Sequence, residues 1–305
     1  MRMMQLFSLA FLVVRAFTSV VTQGAAAVQI AVPPDNFFDS NGVRIRYVEQ
    51  GQGAPIVLLH GYTGTLERHW INPGVFSDLS KDHRVIAMDC RGHGKSGKPA
   101  DPKAYGAEMA RDIVRLLDHL KISRAHIVGY SMGAIIVGHV VTTNPDRLIT
   151  ATFVGHHAVR RWTAADEQEA EASALELEGE TPFKSLVVAL TPAGKPLPSD
   201  DEIRKLVQPL VAANDLKALA AYHRGRSGLV VTDQQLGAVR VPTLGIIGSA
   251  DPSAGTMREV AKVMPALKLV VVDGAEHGGE RGILRRREFM TALREILASR
   301  VPNGL

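Results

Sequence analysis

One five-residue stretch, Gly129-Tyr130-Ser131-Met132-Gly133, constrains the fold of this chain more than any other. It lies between an apolar run over 125–128 and a second apolar run over 134–137. A serine at the apex of a sharp turn from strand to helix must adopt a strained backbone, and glycines two residues to either side let the chain close without a clash of Cβ atoms. The pattern therefore predicts a strand, a tight turn that exposes the Ser131 hydroxyl, and a helix whose N-terminus points at any anion formed there.

Four more apolar runs, over 54–59, 84–88, 241–248 and 267–272, each lead into polar residues. The residues that follow them are His60-Gly61-Tyr62, Asp89-Cys90-Arg91-Gly92-His93-Gly94-Lys95-Ser96, Ser249-Ala250-Asp251-Pro252 and Gly274-Ala275-Glu276-His277. A hydroxyl near neutral pH is a poor nucleophile, so it needs a base, an acid that orients the base, and donors for an oxyanion. The ends of these predicted strands supply residues of each type.

The alternation of apolar strands with helical patterns is typical of a mostly parallel sheet covered on both faces. The clearest helix has Met109, Ile113, Leu116, Leu117 and Leu120 at helical spacing. Residues 42–48 alternate between apolar and polar side chains, which predicts a half-exposed antiparallel strand.

Taken in order, these motifs resemble those of the α/β-hydrolase superfamily, and specifically its capped serine hydrolases, the esterase-like branch. The resemblance extends from about Val43 to the C-terminal helix. It rests on His-Gly-x, Asp-x-Arg-Gly-His-Gly-x-Ser, Gly-x-Ser-x-Gly, an acid turn of the Gly-x-x-Asp-Pro type, and a late Gly-x-x-His. It implies an α/β-hydrolase fold, with a mostly parallel central sheet, helices on both faces and a helical cap inserted before the last two strands.

The same resemblance implies a role for each site residue. Ser131 is the expected nucleophile, Asp251 the acid and His277 the base, and the backbone N–H groups of Tyr62 and Met132 form the expected oxyanion hole. Structural support is expected from His60, Gly61, Asp89, Arg91, His93, Gly129 and Gly133.

Three other carboxylates compete with Asp251 for the role of the acid. Glu276 adjoins His277, and neighbouring residues rarely place their side chains for a mutual hydrogen bond. Asp273 and Asp233 are weaker alternatives.

The pattern along the chain predicts four segments. Residues 1–27 resemble a secretory signal peptide, with an uncharged run over 3–14 and Ala25-Ala26-Ala27 before the predicted cleavage site, although Arg15 interrupts the apolar core. Residues 28–158 and 239–305 are the two expected parts of the hydrolase core, and 159–238, rich in glutamate and lacking strand patterns, is the expected cap. The protein is therefore expected to be periplasmic or secreted, without a stable membrane span after the leader is removed, or cytoplasmic if the leader is not functional.

Other chemistries fit the sequence less well. A phosphate loop ending in Gly94-Lys95-Ser96 needs glycine where Asp89 stands. His156 and His157 lack further ligands at metal-binding spacing, and as neighbours on an extended chain they are expected to point to opposite faces. The net charge is only +4, and no basic stretch is interleaved with aromatic residues, so we expect no nucleic-acid partner, no metal and no cofactor. Cys90 is the single cysteine, which excludes an intrachain disulfide.

The predicted function is hydrolysis of a carboxylic ester, or a related acyl bond, of a small to medium and mainly apolar substrate through an acyl-serine intermediate. A serine at position 131 argues against haloalkane dehalogenases and epoxide hydrolases, which resemble this fold but use aspartate there. The alternatives are a C–C bond hydrolase of the meta-cleavage type, lactone or peracid chemistry, and a non-catalytic ligand-binding protein, because fold alone does not give function.

Overall fold

A single mixed sheet lies at the centre of the computed structural model, which describes residues 32–190 and 196–298. Within these residues the strand order is β1-β2-β4-β3-β5-β6-β7-β8. The strand β2 pairs antiparallel with both β1 and β4, and the strands from β3 to β8 are parallel to one another. The strands are β1 (Asn36–Ser40), β2 (Val43–Gln50), β3 (Pro55–Leu59), β4 (Arg84–Met88), β5 (Ala125–Tyr130), β6 (Leu148–Val154), β7 (Thr243–Gly248) and β8 (Leu267–Val272). The prediction of a mostly parallel sheet is confirmed.

Helices follow most of the parallel strands, as the right-handed crossovers of such a sheet require. In the described part of the chain the α-helices are α1 (Val75–Leu79), α2 (Ala107–His119), α3 (Met132–Thr143), α4 (Ala164–Glu178), α5 (Lys184–Leu190), α6 (Asp200–Ala213), α7 (Leu216–Gly225), α8 (Asp233–Ala238), α9 (Ala254–Val263) and α10 (Arg287–Leu297). A π-helical turn covers Glu67–Ile71, and short 3₁₀ turns cover Pro102–Ala104, Pro145–Arg147, Arg226–Leu229 and Ile283–Arg285.

Two hydrophobic clusters cover the two faces of the sheet. Along β3, Val57 and Leu59 belong to one cluster, whereas Ile56 and Leu58 belong to the other, because successive side chains of a strand point to opposite faces. The first cluster contains apolar residues of α2, α3 and α9, and the second contains those of α1 and α10. Burial on both faces explains why these strands are continuous apolar runs in the sequence.

The strand β2 departs from the prediction of a half-exposed strand. The residues from Ile45 to Val48 are all buried, including Arg46, whose guanidinium lies 2.5 Å from Asp35, 2.6 Å from Glu67 and 3.0 Å from Asp89. A buried charge is tolerated when it is paired in this way. The alternating sequence pattern therefore predicts an exposed arginine, whereas the structure places it inside the protein.

Between β6 and β7 the chain leaves the sheet and forms α4 to α8, which we call the helical insertion (described residues 164–190 and 196–238). Its helices enclose a small hydrophobic cluster of their own, to which Leu177, Phe183, Val207 and Leu219 contribute. The glutamates of α4 form a solvated face, but part of that face is paired with α7, because Arg224 lies 2.8 Å from Glu171 and 2.7 Å from Glu178. The insertion is thus held together by packing and by ion pairs between its helices.

The predicted signal peptide, residues 1–27, lies outside the described residues. Among the described helices, none combines the length and the apolar character needed to cross a bilayer.

The loop after β4 is attached to α2 through a buried ion pair. Arg91 donates from Nε to Asp112 Oδ2 at 2.7 Å and from Nη2 to Oδ1 at 2.5 Å, and its third nitrogen reaches the Ala104 carbonyl oxygen at 2.6 Å. Ser40 donates to the same carboxylate at 2.5 Å. Both charged side chains are almost fully buried, so each satisfies the hydrogen bonds of the other.

We expect Asp112→Ala to lower the free energy of unfolding by about 3–5 kcal/mol, because it leaves the Arg91 guanidinium buried and unpaired. Asp118→Ala is the matched control on the same helix. Asp118 also faces an arginine, Arg147 at 2.8 Å, but its side chain is 62% exposed, so the expected cost is about 1 kcal/mol or less. Urea denaturation of the two variants measures both values, and equal losses would contradict this account.

Candidate active site

The turn between β5 and α3 carries Ser131 in a strained conformation. Its φ is +54° and its ψ is −114°, a region that residues with a Cβ atom rarely occupy. The backbone N–H of Ser131 donates to the Val154 carbonyl oxygen at 2.8 Å, which joins the turn to β6. The flanking glycines leave no room for side chains: a Cβ on Gly129 would lie 2.2 Å from the Gly133 oxygen, and one on Gly133 would lie 2.4 Å from the Leu59 oxygen.

The structure brings Ser131, His277 and Asp251 into one line of hydrogen bonds. His277, in the loop after β8, has Nε2 at 3.0 Å from Ser131 Oγ and Nδ1 at 2.7 Å from Asp251 Oδ2. Asp251 follows β7, is buried, and also accepts from the Ser253 backbone N–H at 2.8 Å. A carboxylate only accepts hydrogen bonds, so Nδ1 carries a proton and a neutral imidazole offers Nε2 as the acceptor for the serine hydroxyl. This arrangement allows a proton to pass from Ser131 to His277.

The three rival carboxylates contact other residues. Glu276 forms an ion pair with Arg281, Asp273 accepts from Ser249 Oγ at 3.1 Å, and Asp233 accepts from Arg160 at 2.6 Å. The imidazole of His277 therefore has Asp251 as its carboxylate partner in this structure.

Tyr62 and Met132 place two backbone N–H groups beside the serine. Tyr62 is the second residue of a tight turn closed by a 3.0 Å hydrogen bond from the Gly64 N–H to the Gly61 oxygen, and Met132 is the first residue of α3. A Cβ on Gly61 would lie 3.1 Å from the Cβ of Ser131, so the turn packs against the serine. Within the part of the chain that the structure describes, neither N–H group has a hydrogen-bond partner. Both donors are available to an anion.

His60 connects the ends of β3 and β4. Its Nδ1 donates to the Gly61 oxygen at 2.8 Å, and its Nε2 accepts from the Cys90 backbone N–H at 3.0 Å. Burial lowers the pKa of His60, which keeps the ring neutral and lets it both donate and accept. Asp89 adds a second connection, because its carboxylate accepts from the Leu66 N–H at 2.9 Å.

His93 lies behind the Tyr62 turn, at a ring distance of 5.3 Å from His60 and 6.0 Å from Tyr62. Its Nδ1 donates to the Arg91 oxygen at 3.1 Å. Burial lowers the pKa of His93 to about 3, so this imidazole is neutral. Burial also raises the pKa of the neighbouring Cys90 thiol, which disfavours the reactive thiolate. His93 and Cys90 therefore pack behind the turn as uncharged side chains.

Two residues near the triad were missed by the sequence analysis, His69 and Tyr130. His69, on the π-helical turn, accepts from the Gly61 N–H at 3.1 Å, and its ring meets the Tyr130 ring edge-on at 4.8 Å. The Tyr130 hydroxyl donates to the His277 carbonyl oxygen at 2.6 Å. Tyr130 occupies the first variable position of Gly-x-Ser-x-Gly, so a polar aromatic residue beside the serine could have been recognised as a candidate from the sequence. Nothing in the spacing of His69 and Gly61 indicates that the two residues are in contact.

The expectation for His156 and His157 was wrong. Their rings lie 4.7 Å apart and neither is fully exposed; the His156 Nδ1 accepts from the His157 N–H at 2.9 Å, and His157 Nε2 lies 2.7 Å from Thr256 Oγ1. The strand ends at Val154, and the next residue, Gly155, has a φ of +68°, so the alternation of an extended chain no longer applies. In residues 32–190 and 196–298 no group of three or more histidine, cysteine or acidic side chains is arranged to hold a metal ion.

Comparison with known proteins agrees with this fold. Residues 54–179 match the family described as the alpha/beta hydrolase fold. The chain has the α/β-hydrolase fold. Among solved structures, this chain is similar to a thermophilic esterase from Thermogutta terrifontis, with a TM-score of 0.70 and 22% identity over 87% of this chain and 98% of the other.

Curated relatives of this chain have different activities by name. Esterase YbfF of Escherichia coli is 40% identical over 100 residues, which is 32% of this chain and 37% of the relative. The acetyltransferase component of the acetoin cleaving system of Cupriavidus necator is 34% identical over 122 residues, 39% of this chain and 31% of the relative. Further matches are named as epoxide hydrolases, an enol-lactonase and a phenylhexadienoate hydrolase. This chain spans between 31 and 41% of the length of the curated relatives.

The strain at Ser131 has a measurable consequence. Such a backbone costs on the order of 1–3 kcal/mol for a residue with a Cβ atom, against an extra entropy cost of glycine of roughly 0.5–1 kcal/mol. We therefore expect Ser131→Gly to have a free energy of unfolding about 1 kcal/mol higher than Ser131→Ala, as measured by urea denaturation.

The exposed residue Arg258, in the interior of α9, is the control position. There Arg258→Gly is expected to be less stable than Arg258→Ala by about 1 kcal/mol, the usual order for a helix interior. If alanine is the more stable replacement at both positions, the strain assigned to Ser131 is absent.

Proposed function

We propose that this protein is a serine hydrolase that cleaves carboxylic esters through an acyl-serine intermediate. The observation that carries the proposal is the unbroken line of hydrogen bonds from Asp251 through His277 to Ser131, of 2.7 and 3.0 Å. The unpartnered N–H groups of Tyr62 and Met132 on the described chain support it, because acyl transfer needs donors where negative charge develops.

In the proposed reaction, His277 Nε2 takes the Ser131 proton while Oγ attacks the ester carbonyl carbon. The carbonyl oxygen becomes an anion that accepts hydrogen bonds from the Tyr62 and Met132 N–H groups, and each such donor contributes roughly 3 kcal/mol in comparable sites. Asp251 stabilises the imidazolium. The imidazolium then protonates the leaving alcohol as the ester C–O bond breaks, which leaves the acyl group on Ser131.

Hydrolysis of the acyl-serine repeats these steps with water in place of serine. His277 removes a proton from water, the hydroxide oxygen adds to the acyl carbon, and the same two N–H groups receive the oxyanion. When the tetrahedral intermediate collapses, His277 returns the proton to Ser131 Oγ, and the carboxylic acid leaves.

The helical insertion is proposed to act as a cap that selects small to medium, uncharged and mainly apolar acyl groups. Several of its basic side chains are already paired with acids of the insertion itself: Arg224 with Glu171 and Glu178, Arg226 with Glu169, and Lys184 with Asp200. These pairs offset part of the positive charge that would otherwise attract an anionic substrate. The aromatic rings of Tyr62 and Tyr222 supply apolar surface between the insertion and the sheet.

An ester is favoured over the other substrates suggested by name among the relatives for two reasons. Ser131 is a nucleophile suited to acyl transfer, and a relative named as an esterase has 40% identity over the stretch it shares with this chain. A C–C bond hydrolase uses the same type of triad and cap, so it remains the second candidate, and a ligand-binding protein remains the third.

We expect wild-type protein to gain one covalent adduct from a fluorophosphonate probe, and Ser131→Ala to gain none, because only an activated serine attacks the phosphorus. Mass spectrometry of the intact protein and of the peptide that contains Ser131 measures the result.

Ser77→Ala, which removes the hydroxyl of an exposed serine on α1, is the control and should be labelled like the wild type. Labelling that survives in Ser131→Ala would remove the nucleophile assignment. A wild type that neither binds the probe nor hydrolyses any ester would favour the ligand-binding alternative.

A series of nitrophenyl esters tests the proposed substrate class. We expect kcat/KM to rise from acetate through butyrate, by up to about fourfold for each methylene that is buried, since burial contributes roughly 0.8 kcal/mol per methylene. Beyond a medium chain length the values should fall as the space below the cap is filled.

Rates that still increase at palmitate would indicate an open groove and would contradict the proposed cap. Probe labelling of Ser131 without turnover of any ester would instead favour the C–C bond hydrolase.

A further inference from the structure

The side chain of Tyr62 connects the oxyanion turn to the helical insertion. Its hydroxyl oxygen lies 3.0 Å from Nε2 of His223, which is on α7. Its ring stacks on that of Tyr222, the preceding residue of the same helix, with centroids 5.6 Å apart and an interplanar angle of 28°. Tyr62 therefore belongs to the site through its backbone and contacts the insertion through its side chain.

Packing places the Tyr62 ring between two hydrophobic clusters. It contacts the cluster of the sheet that includes Leu59 and Met132, and it also contacts the insertion's own cluster, which includes Leu219. Few side chains on the described chain are shared in this way, so a movement of α7 relative to the sheet acts directly on Tyr62.

The hydrogen bond between Tyr62 and His223 joins two neutral groups. Burial lowers the pKa of His223 to about 4 and raises that of Tyr62, so a neutral imidazole faces a protonated phenol. The phenol can donate to Nε2, or a protonated Nε2 can donate to the phenol oxygen, and either arrangement forms the 3.0 Å hydrogen bond. On the described chain, Nδ1 is buried without a partner. Within the described residues, the hydrogen bond of the His223 ring is thus the one to Tyr62.

Holding the Tyr62 ring also restrains the turn that carries the Tyr62 N–H. Tyr62 is the second residue of the turn from Gly61 to Gly64, and the next residue, Thr63, has a φ of +55°. A turn with a non-glycine residue at positive φ is strained and persists only when its surroundings hold it. Oxyanion donors act over about 2.7–3.1 Å, so a small change of the turn removes much of their effect.

We propose that His223 is a positioning residue of the active site: by holding the Tyr62 phenol from the helical insertion, it aligns the Tyr62 N–H with the oxyanion. This inference rests on the proposed function and adds to it, because it gives the insertion a part in catalysis besides covering the substrate.

The neighbouring residue Arg224 gives a matched control. It is on the same helix and joins α7 to α4 through Glu171 and Glu178, without contacting the Tyr62 turn. A variant at this position perturbs the attachment of α7 within the insertion and leaves the Tyr62 hydrogen bond in place.

The experiment compares His223→Leu, Tyr62→Phe, the double variant, His223→Gln and Arg224→Gln with a nitrophenyl ester that the wild type turns over. We expect His223→Leu to lower kcat on the order of tenfold with KM nearly unchanged, less than the 10²–10³ lost when an oxyanion donor is removed outright. Tyr62→Phe should give a similar loss, and the double variant should lose no more than either single variant, because both remove the same bond. His223→Gln, whose amide can accept or donate a hydrogen bond, should recover most of kcat, and Arg224→Gln should retain it.

Hydrogen exchange of the 61–64 turn, followed by mass spectrometry, is a second measurement that needs no turnover. We expect faster exchange in His223→Leu than in the wild type, and no change in Arg224→Gln. Unchanged exchange in His223→Leu overturns the inference. Additive losses of kcat in the double variant, or a rise in KM with kcat unchanged, also overturn it. A wild type without esterase activity overturns the proposed function instead, and the exchange measurement then still decides whether His223 holds the turn.

Discussion

The close contact between the Ser131 turn and the strands beside it is the constraint on which the site depends. The turn lies on the sheet without any intervening side chain, since Gly133 touches the Leu59 backbone and Gly129 touches Gly133. The Ser131 N–H is also bound to β6. These contacts hold the serine in a backbone conformation that the residue itself disfavours, and the cost is offset by the packing of the surrounding core. The position of every other site residue is then defined relative to a hydroxyl that cannot move far.

Burial has an electrostatic effect around this serine. His60, His69 and His93 line the loops next to it, and burial lowers the pKa of each ring. Neutral imidazoles brace the turn by donating and accepting hydrogen bonds, without placing positive charge where it would compete with His277. Charged side chains support the loops through two buried ion pairs, in which Arg46 attaches a loop to β2 and Arg91 attaches a loop to α2.

Much of the fold follows from the sequence because it depends on repeated, local patterns. The parallel strands are continuous apolar runs, and the motifs stand at their carboxyl ends, so the sheet and the convergence of Ser131, Asp251 and His277 could be predicted. The burial of Arg46 could not, because its three carboxylate partners come from three separate segments of the chain, before β2, after β3 and after β4. The same holds for the contact of His69 with Gly61 and for that of Tyr62 with His223. Each contact depends on how a loop packs against another part of the chain, and neither the periodicity nor the spacing of the sequence indicates that packing.

The Tyr130 hydroxyl that holds the His277 carbonyl joins residues separated by 147 positions, with the whole helical insertion between them. Closing so long a stretch of chain is entropically costly and tends to come late in folding. The nucleophile can therefore be formed early, at the centre of the sheet, whereas its base arrives only when β8 adds to the edge. During synthesis on the ribosome, the growing chain carries Ser131 without His277 until a further 146 residues have been added, so an exposed, half-folded site has no means of activating its serine.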